Sequence, residues 1–212
     1  PYISAFLADE VHLARIEDEI VALDVEADAY ACLVDAAGHI RPGDRPGAVQ
    51  VTADASEILK GAGWLSSALS SPRRPLVRVR AEAVRTALPC RSIAAALPHA
   101  LWSTSGFRNR PLSALVAAAR ARRPAGAPAD PVRAAARATA FEAVRPWIPF
   151  EGDCLQRAWM LHHHLCVSGL DADWVFGVRT WPFLAHCWVQ VGETVVGDSL
   201  DRVRGFTPIL AA

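Results

Sequence analysis

Apolar and polar residues alternate in three short runs near the start of the chain, which is the pattern of half-buried strands. These runs are Val11–Ile16, Glu19–Asp24 and 29–34. Short polar segments separate them, so the pattern predicts a three-stranded antiparallel meander. A Gly- and Pro-rich stretch, 38–47, follows the third run.

A short helix is predicted after this stretch. Thr52 or Asp54 can cap its N-terminus, and it is expected to end near Gly61 or Gly63. Residues 70–75 then have the Ser, Pro and Arg composition of a linker. The sequence therefore predicts a small N-terminal module that ends at this linker.

The middle of the chain has a helical pattern. Ala, Leu and Arg recur at helical spacing over 77–121, which predicts two to three helices. Pro and Gly residues over 124–131 predict an exposed loop. A further helix is predicted over 132–144, with Asp130 as its N-cap and Pro131 at its first position.

The last part of the chain is predicted to form a helix and then an antiparallel sheet. The helix, 154–167, begins after Gly152 and Asp153 and ends at Ser168 and Gly169. The predicted strands are 174–179, 185–191 and 194–200. The whole pattern predicts an α+β fold.

Charge is segregated along the chain and supports a division into modules. Residues 1–72 carry 12 acidic and 4 basic side chains, whereas 73–150 carry 3 acidic and 14 basic ones. We therefore expect one domain over 1–72 and a second over 73–212. No nucleic-acid motif accompanies the arginines, so a basic solvated face or the docking of an acidic surface is favoured over nucleic-acid binding. No signal peptide or apolar run of membrane length is evident, so we expect a cytoplasmic protein that binds no membrane.

One cysteine stands where a nucleophile would be activated. Cys154 opens a predicted helix, where the backbone N–H groups and the helix dipole favour a thiolate. His186 and Asp198, on the next predicted strands, can act as its base and as the group that orients the base. A three-residue loop, 191–193, would put His186 directly across from Asp198, whereas a two-residue turn would not. We predict the three-residue loop.

The other thiols and imidazoles have simpler interpretations. The five cysteines include no CxxC pair, so reduced thiols are expected rather than a disulfide framework. Cys187 alternates with His186 along its strand, so it is expected to point into the core. Residues 162–164 are three consecutive histidines, and His162 with Cys166 could begin a zinc site. Because no further ligand motif completes it, we expect no metal and no cofactor.

Four segments of the chain carry a family resemblance: Asp153-Cys-Leu155, 175–183, 185–189 and Gly197-Asp198. They resemble the leader peptidases of lasso-peptide biosynthesis known as B proteins. In that family a Cys-Leu pair opens a helix, a strand ends in Pro-Phe, and an Ala-His-Ala-Trp-Val strand precedes an Asp. This chain has Cys187 in place of the usual Ala and Gln190 in place of the usual Glu.

The resemblance implies a papain-like or transglutaminase-like cysteine peptidase with Cys154, His186 and Asp198 as its triad. Some such proteins are fused to an N-terminal RiPP recognition element, a small winged-helix-like module that 2–70 resembles. A leader peptide would then add as a strand to the meander edge. The residues expected to bind it are Asp28, Ala29, Tyr30, Ala31, Cys32 and Leu33.

The implied activity is removal of the leader from a precursor peptide, which frees the core for a separate cyclase. Two alternatives remain open at this stage. The same triad would serve a transglutaminase-like acyltransferase, and an inactive triad would leave a peptide-binding adaptor.

Overall fold

The computed structural model describes residues 1–68, 72–84, 98, 106–124, 126–147 and 152–212. The fold is mixed α+β, as predicted. The N-terminal elements are β1 (Tyr2–Leu7), β2 (Val11–Ile16), β3 (Glu19–Asp24), β4 (Ala29–Leu33), β5 (Ile40–Pro42), β6 (Ala48–Thr52), α1 (Ala53–Gly61) and β7 (Leu65–Ser66). The remaining elements are β8 (Ala81–Glu82), α2 (Leu112–Arg122), α3 (Pro131–Val144), α4 (Cys154–Val167), β9 (Asp173–Arg179), β10 (Leu184–Val191), β11 (Thr194–Val196), α5 (Leu200–Val203) and β12 (Thr207–Ala211).

The predicted meander is confirmed. Strands β2, β3 and β4 form a three-stranded antiparallel sheet with β3 in the centre, so β4 lies at one edge. The predicted cap of α1 is also confirmed, since the Thr52 side chain accepts a hydrogen bond from the Ala55 backbone N–H. The sequence analysis did not predict a second N-terminal sheet, in which the strand order is β5-β6-β1-β7.

Helices α3 and α4 begin where the sequence predicts. Asp130 caps α3 through the Arg133 N–H, and Pro131 occupies the first position. Strands β9 to β12 and β8 form a five-stranded sheet in the order β12-β9-β10-β11-β8. The third predicted strand is shorter than expected, because β11 ends at Val196 and residues further on form α5.

The meander is covered by apolar side chains on both faces. Val21 and Leu23 belong to the same core as α2, α3, α4 and the five-stranded sheet. Ile20, on the opposite face of β3, belongs to a second core with α1, β1 and β6. Strand β2 packs against β12. The meander therefore lies between the N-terminal sheet and the sheet that carries the candidate site.

Polar contacts also join the two halves of the chain. The Arg73 guanidinium donates to the Val11 and Ala8 carbonyls, each at 2.6 Å. The Trp181 indole N–H donates to the Glu19 carboxylate at 2.7 Å. The first contacts join the meander region to the segment before β8, and the last joins it to the loop between β9 and β10.

Several sequence predictions fall wholly or partly outside the described residues. They are the helices expected over most of 85–105 and the start of the linker, residues 70 and 71. The helical interpretation of 77–84 is wrong, because these residues are described and contain the short strand β8 rather than a helix. Within the described residues, no helix is long and apolar enough to cross a membrane.

Candidate active site

Cys154 is the first residue of helix α4, as the sequence predicts. The Asp153 side chain caps this helix by accepting hydrogen bonds from the Leu155 and Gln156 backbone N–H groups, at 3.1 and 3.2 Å. Capping fixes the first turn, and the thiol therefore sits at the positive end of the helix dipole. Cys154 is partly exposed, so a substrate can reach it.

His186 and Asp198 are in direct contact. The His186 Nε2 lies 2.6 Å from the Asp198 Oδ2, which leaves the other ring nitrogen for a second partner. That partner is Cys154, whose side chain hydrogen-bonds the imidazole. The structure thus brings all three predicted catalytic residues together, on α4, β10 and the segment after β11.

The predicted hairpin register is wrong, although the predicted contact forms. Val191 pairs with Thr194, so the turn contains two residues, Gly192 and Glu193, rather than three. Strand parity alone would then set His186 and Asp198 on opposite faces. The chain leaves the strand after Val196, and Gly197 adopts a left-handed φ of 75°. Asp198 therefore lies outside the paired strand, and its side chain contacts His186.

The short length of β11 also makes room for the nucleophile. β11 pairs with β10 only over 189–191, so 184–188 have no β11 partner. The N-terminus of α4 and Asp198 occupy this open side, next to His186 and Cys187. The Cys187 backbone N–H hydrogen-bonds the Cys154 sulfur there.

Electrostatics favour a thiolate and an imidazolium at this site. Hydrogen bonds from the Cys187 side chain and from His186 lower the pKa of Cys154 to about 4. Burial opposes the charged form of His186, but its hydrogen bonds to Asp198 and Cys154 prevail and raise its pKa to about 9. Burial likewise opposes ionisation of Asp198, yet the His186 contact holds the pKa of that carboxyl below its usual value. Cys154 and His186 therefore form an ion pair at neutral pH.

Cys187 is the member of the site that the sequence analysis missed. It is buried in the core, as expected, with only 4% of its surface exposed. Its side chain nevertheless hydrogen-bonds Cys154, and this contact together with burial raises the pKa of Cys187 well above its usual value. The alternation of side chains along β10 could not predict the contact between Cys187 and Cys154, because that contact depends on how α4 packs against the sheet.

The first part of the strand predicted to bind the leader interacts with the site electrostatically. The Tyr30 ring, on β4, lies 5.6 Å from the Phe183 ring. Burial raises the pKa of the Tyr30 phenol, and so do the charges that Cys187, Asp28 and Cys154 carry when ionised. The phenol thus stays neutral close to the thiolate. Along the rest of the predicted segment, Ala31 and Leu33 are partly buried, whereas Asp28, Ala29 and Cys32 are exposed.

Two cavities lie near the triad and a larger one lies elsewhere. The cavity at Cys154 and His186 is small, about 60 Å³, and a polar cavity of about 270 Å³ adjoins it at Asp198. A cavity of about 400 Å³ lies between β2 and β12 and includes neither Cys154 nor His186. We assign the candidate active site to the two smaller cavities, because their walls contain the interacting ionisable groups.

The histidine run is buried in the core and distant from this chemistry. His162 Nε2 lies 3.4 Å from the Cys166 sulfur, one turn along the same helix. Burial, followed by the charge of Arg123, lowers the pKa of His162 to about 3. Among the described residues, no three His, Cys, Asp or Glu side chains are grouped to hold a metal ion.

Comparisons with known proteins show the family of this chain. Residues 94–211, more than half of the chain, match the family described as the Transglutaminase-like superfamily. The chain belongs to this superfamily. It is also 44% identical over 50 residues to the Microcin J25-processing protein McjB of Escherichia coli. That alignment covers 24% of this chain and 24% of McjB, so the chain matches about a quarter of the relative's length. No solved structure gives a significant match.

Proposed function

We propose that this protein is a cysteine endopeptidase that removes the leader from a lasso-peptide precursor. The observation that carries the proposal is the contact of Cys154 with His186 and of His186 with Asp198 at the N-terminus of a capped helix. Membership of the Transglutaminase-like superfamily and the partial similarity to the processing protein McjB support the same role. The freed core would pass to a separate cyclase.

The ion pair supports a two-step mechanism of hydrolysis. The Cys154 thiolate attacks the carbonyl carbon at the leader–core junction, and the His186 imidazolium protonates the departing amine of the core. Neutral His186 then removes a proton from water, which attacks the thioester and releases the leader. Asp198 holds the ring orientation in both steps, because its carboxylate accepts the hydrogen bond from Nε2.

Leader recognition is assigned to the edge strand β4, as part of a recognition module over 1–72, with the peptidase over 73–212. An extended leader can add to this edge by backbone hydrogen bonds, each worth ~1 kcal/mol net. The candidate contact residues are those of the 28–33 segment, and the Cys154 charge acts on the Tyr30 phenol among them. A leader bound along β4 would therefore deliver the scissile bond toward Cys154.

The activity is tested by incubating the protein with a precursor peptide and following the masses of the products. Hydrolysis predicts free leader and a core with a free amine. The superfamily match also allows acyl transfer, which would instead give an adduct of the leader with an added amine. If neither product forms while leader binding is retained, the adaptor hypothesis replaces the peptidase one.

The role of the β4 edge is tested at Cys32, whose side chain is exposed. Cys32→Pro removes a backbone N–H from the edge strand and is expected to weaken leader binding about tenfold or more, whereas Cys32→Ser keeps the N–H and should bind like wild type. Fluorescence anisotropy with a labelled leader measures both variants, and circular dichroism checks that each is folded. Equal affinities for the Pro variant, the Ser variant and wild type would place recognition elsewhere.

A further inference from the structure

Cys187 is a buried thiol that the proposed mechanism does not use. Its side chain and its backbone N–H both hydrogen-bond the Cys154 sulfur, and the two cysteines line the same small cavity with His186 and Asp198. They approach from different elements, β10 and the first turn of α4. The Cys187 side chain belongs to the core cluster against which Cys154 packs, so the two thiols are neighbours, and a disulfide would require their sulfur atoms to move to bonding distance.

We propose that Cys154 and Cys187 form a reversible redox site, in which Cys187 is the resolving thiol for an oxidised Cys154. The oxidant is a peroxide. The inference rests on the proposed function only in that Cys154 is the reactive nucleophile. It adds that the same nucleophile can be switched off and recovered.

The two thiols differ in the way that such a site requires. Cys154 is partly exposed and its pKa is lowered, so a peroxide can reach a thiolate. Cys187 is 4% exposed and its pKa is raised, so it stays protonated and sheltered. Oxidation therefore begins at Cys154, and Cys187 acts second. A low-pKa accessible thiol beside a resolving cysteine is the arrangement that redox-sensing proteins use.

The chemistry balances in two steps. The Cys154 thiolate attacks one oxygen of hydrogen peroxide, which breaks the O–O bond and gives a sulfenic acid and hydroxide. The Cys187 sulfur then attacks the sulfenic sulfur, the S–O bond breaks, and the Cys187 proton leaves with the hydroxyl as water. Two thiols lose two electrons in total, and the peroxide is reduced. A dithiol reductant reverses the change by thiol–disulfide exchange.

The test uses the full chain at low concentration, and size-exclusion chromatography removes any cross-linked dimers before mapping. The protein is treated with hydrogen peroxide, its remaining thiols are alkylated after unfolding, and cross-linked peptides are mapped by mass spectrometry. We expect loss of two alkylation sites, a peptide joining Cys154 to Cys187, and full recovery of both thiols on reduction. Leader cleavage, where present, should fall and recover in parallel.

Matched variants separate this site from general oxidation. Cys187→Ala should gain oxygen on Cys154 as sulfinic acid, which reduction does not reverse, whereas Cys166→Ala should behave like the parent. If Cys187→Ala is misfolded by circular dichroism, Cys187→Ser provides the same test with a side chain closer in size. Irreversible oxidation of the parent at Cys154, without the cross-link, would overturn the proposal.

Failure of this inference is distinguishable from failure of the proposed function. The thiol count and the peptide map require no precursor peptide. A cross-link without any cleavage would leave the redox site standing and remove the peptidase assignment. Cleavage with no cross-link on oxidation would do the opposite.

Discussion

A cysteine–histidine pair lies at each end of helix α4, the first formed with His186 of β10, and the two pairs have opposite electrostatic properties. At the N-terminus, the pKa of Cys154 is lowered to about 4 and that of His186 raised to about 9. Near the C-terminus, burial raises the pKa of Cys166 to about 11, while burial and Arg123 lower that of His162 to about 3. The first pair is charged at neutral pH and the second is neutral.

The difference comes from the surroundings rather than from the residue types. Asp198 accepts a hydrogen bond from His186 and stabilises the imidazolium charge. The charge that acts most strongly on His162 is instead the positive charge of Arg123, which disfavours an imidazolium. The helix dipole also favours a thiolate at the first turn and disfavours one at the last. Of the two contacts, the one at Cys154 combines a carboxylate on the histidine, a helix N-terminus and partial exposure to solvent.

The largest expected effect distinguishes the two cysteines directly. Cys154→Ala should reduce leader cleavage by ~10⁵-fold or more, because the Ala side chain cannot form the acyl-enzyme. Cys166→Ala removes a buried thiol of the second pair and should retain the wild-type rate. Product masses measured over time report both rates. Cleavage by the Cys154 variant at the wild-type rate would contradict the peptidase proposal.

Thiol reactivity should differ nearly as much as activity. At neutral pH Cys154 is a thiolate, whereas Cys166 is protonated and buried, so iodoacetamide should modify Cys154 ~10⁴-fold faster. Peptide mapping after short exposures measures this ratio in the folded protein. Equal modification of the two sites would mean that Cys154 is not activated.

The ion pair also fixes the direction of the pH dependence. Below about pH 4 the Cys154 thiolate gains a proton, and above about pH 9 His186 loses the proton that it gives to the leaving amine. A plot of kcat/KM against pH should therefore be bell-shaped, with an acidic limb set by Cys154 and a basic limb set by His186. A single limb near the ordinary pKa of a free cysteine would show that Cys154 and His186 are not coupled.

Asp198 should have a smaller effect than the nucleophile. Asp198→Asn removes the charge that stabilises the imidazolium, so cleavage should fall by about 10²- to 10⁴-fold and the basic limb should move to lower pH. Arg202→Gln is the matched control, because the Arg202 guanidinium lies 3.5 Å from the other Asp198 oxygen and is mostly exposed. It should leave the profile nearly unchanged. An unshifted basic limb in the Asn variant would remove Asp198 from the triad.

The sequence predicted the elements of the site better than their packing. The Cys154 helix and the His186 strand were located correctly because caps, glycines and alternation are local signals. The His186–Asp198 contact was predicted from the wrong register, since the left-handed turn at Gly197 is not determined by strand parity. The Cys187 contact was missed because it depends on how α4 packs on the sheet.

The N-terminal half shows the same limit. Alternation predicted the meander, but not that its Tyr30 ring would pack on Phe183 beside the site. Nor did it predict β1, whose partners β6 and β7 lie far along the chain. Pairings between distant segments leave little trace in a local pattern of apolar residues.

The smallest expected effect concerns the second pair and the histidines around it. We predict that this cluster binds no metal, so the purified protein should contain much less than one zinc per chain, and a chelator should leave cleavage unchanged. The physical reason is the ligand set: His162 and Cys166 contact each other, but a structural zinc needs four converging ligands. His162→Ala should likewise leave the metal content and the position of both pH limbs unchanged, although loss of a buried ring can lower stability. Stoichiometric zinc, with activity lost on its removal and restored on its return, would make the two ends of α4 functionally alike and overturn the contrast between them.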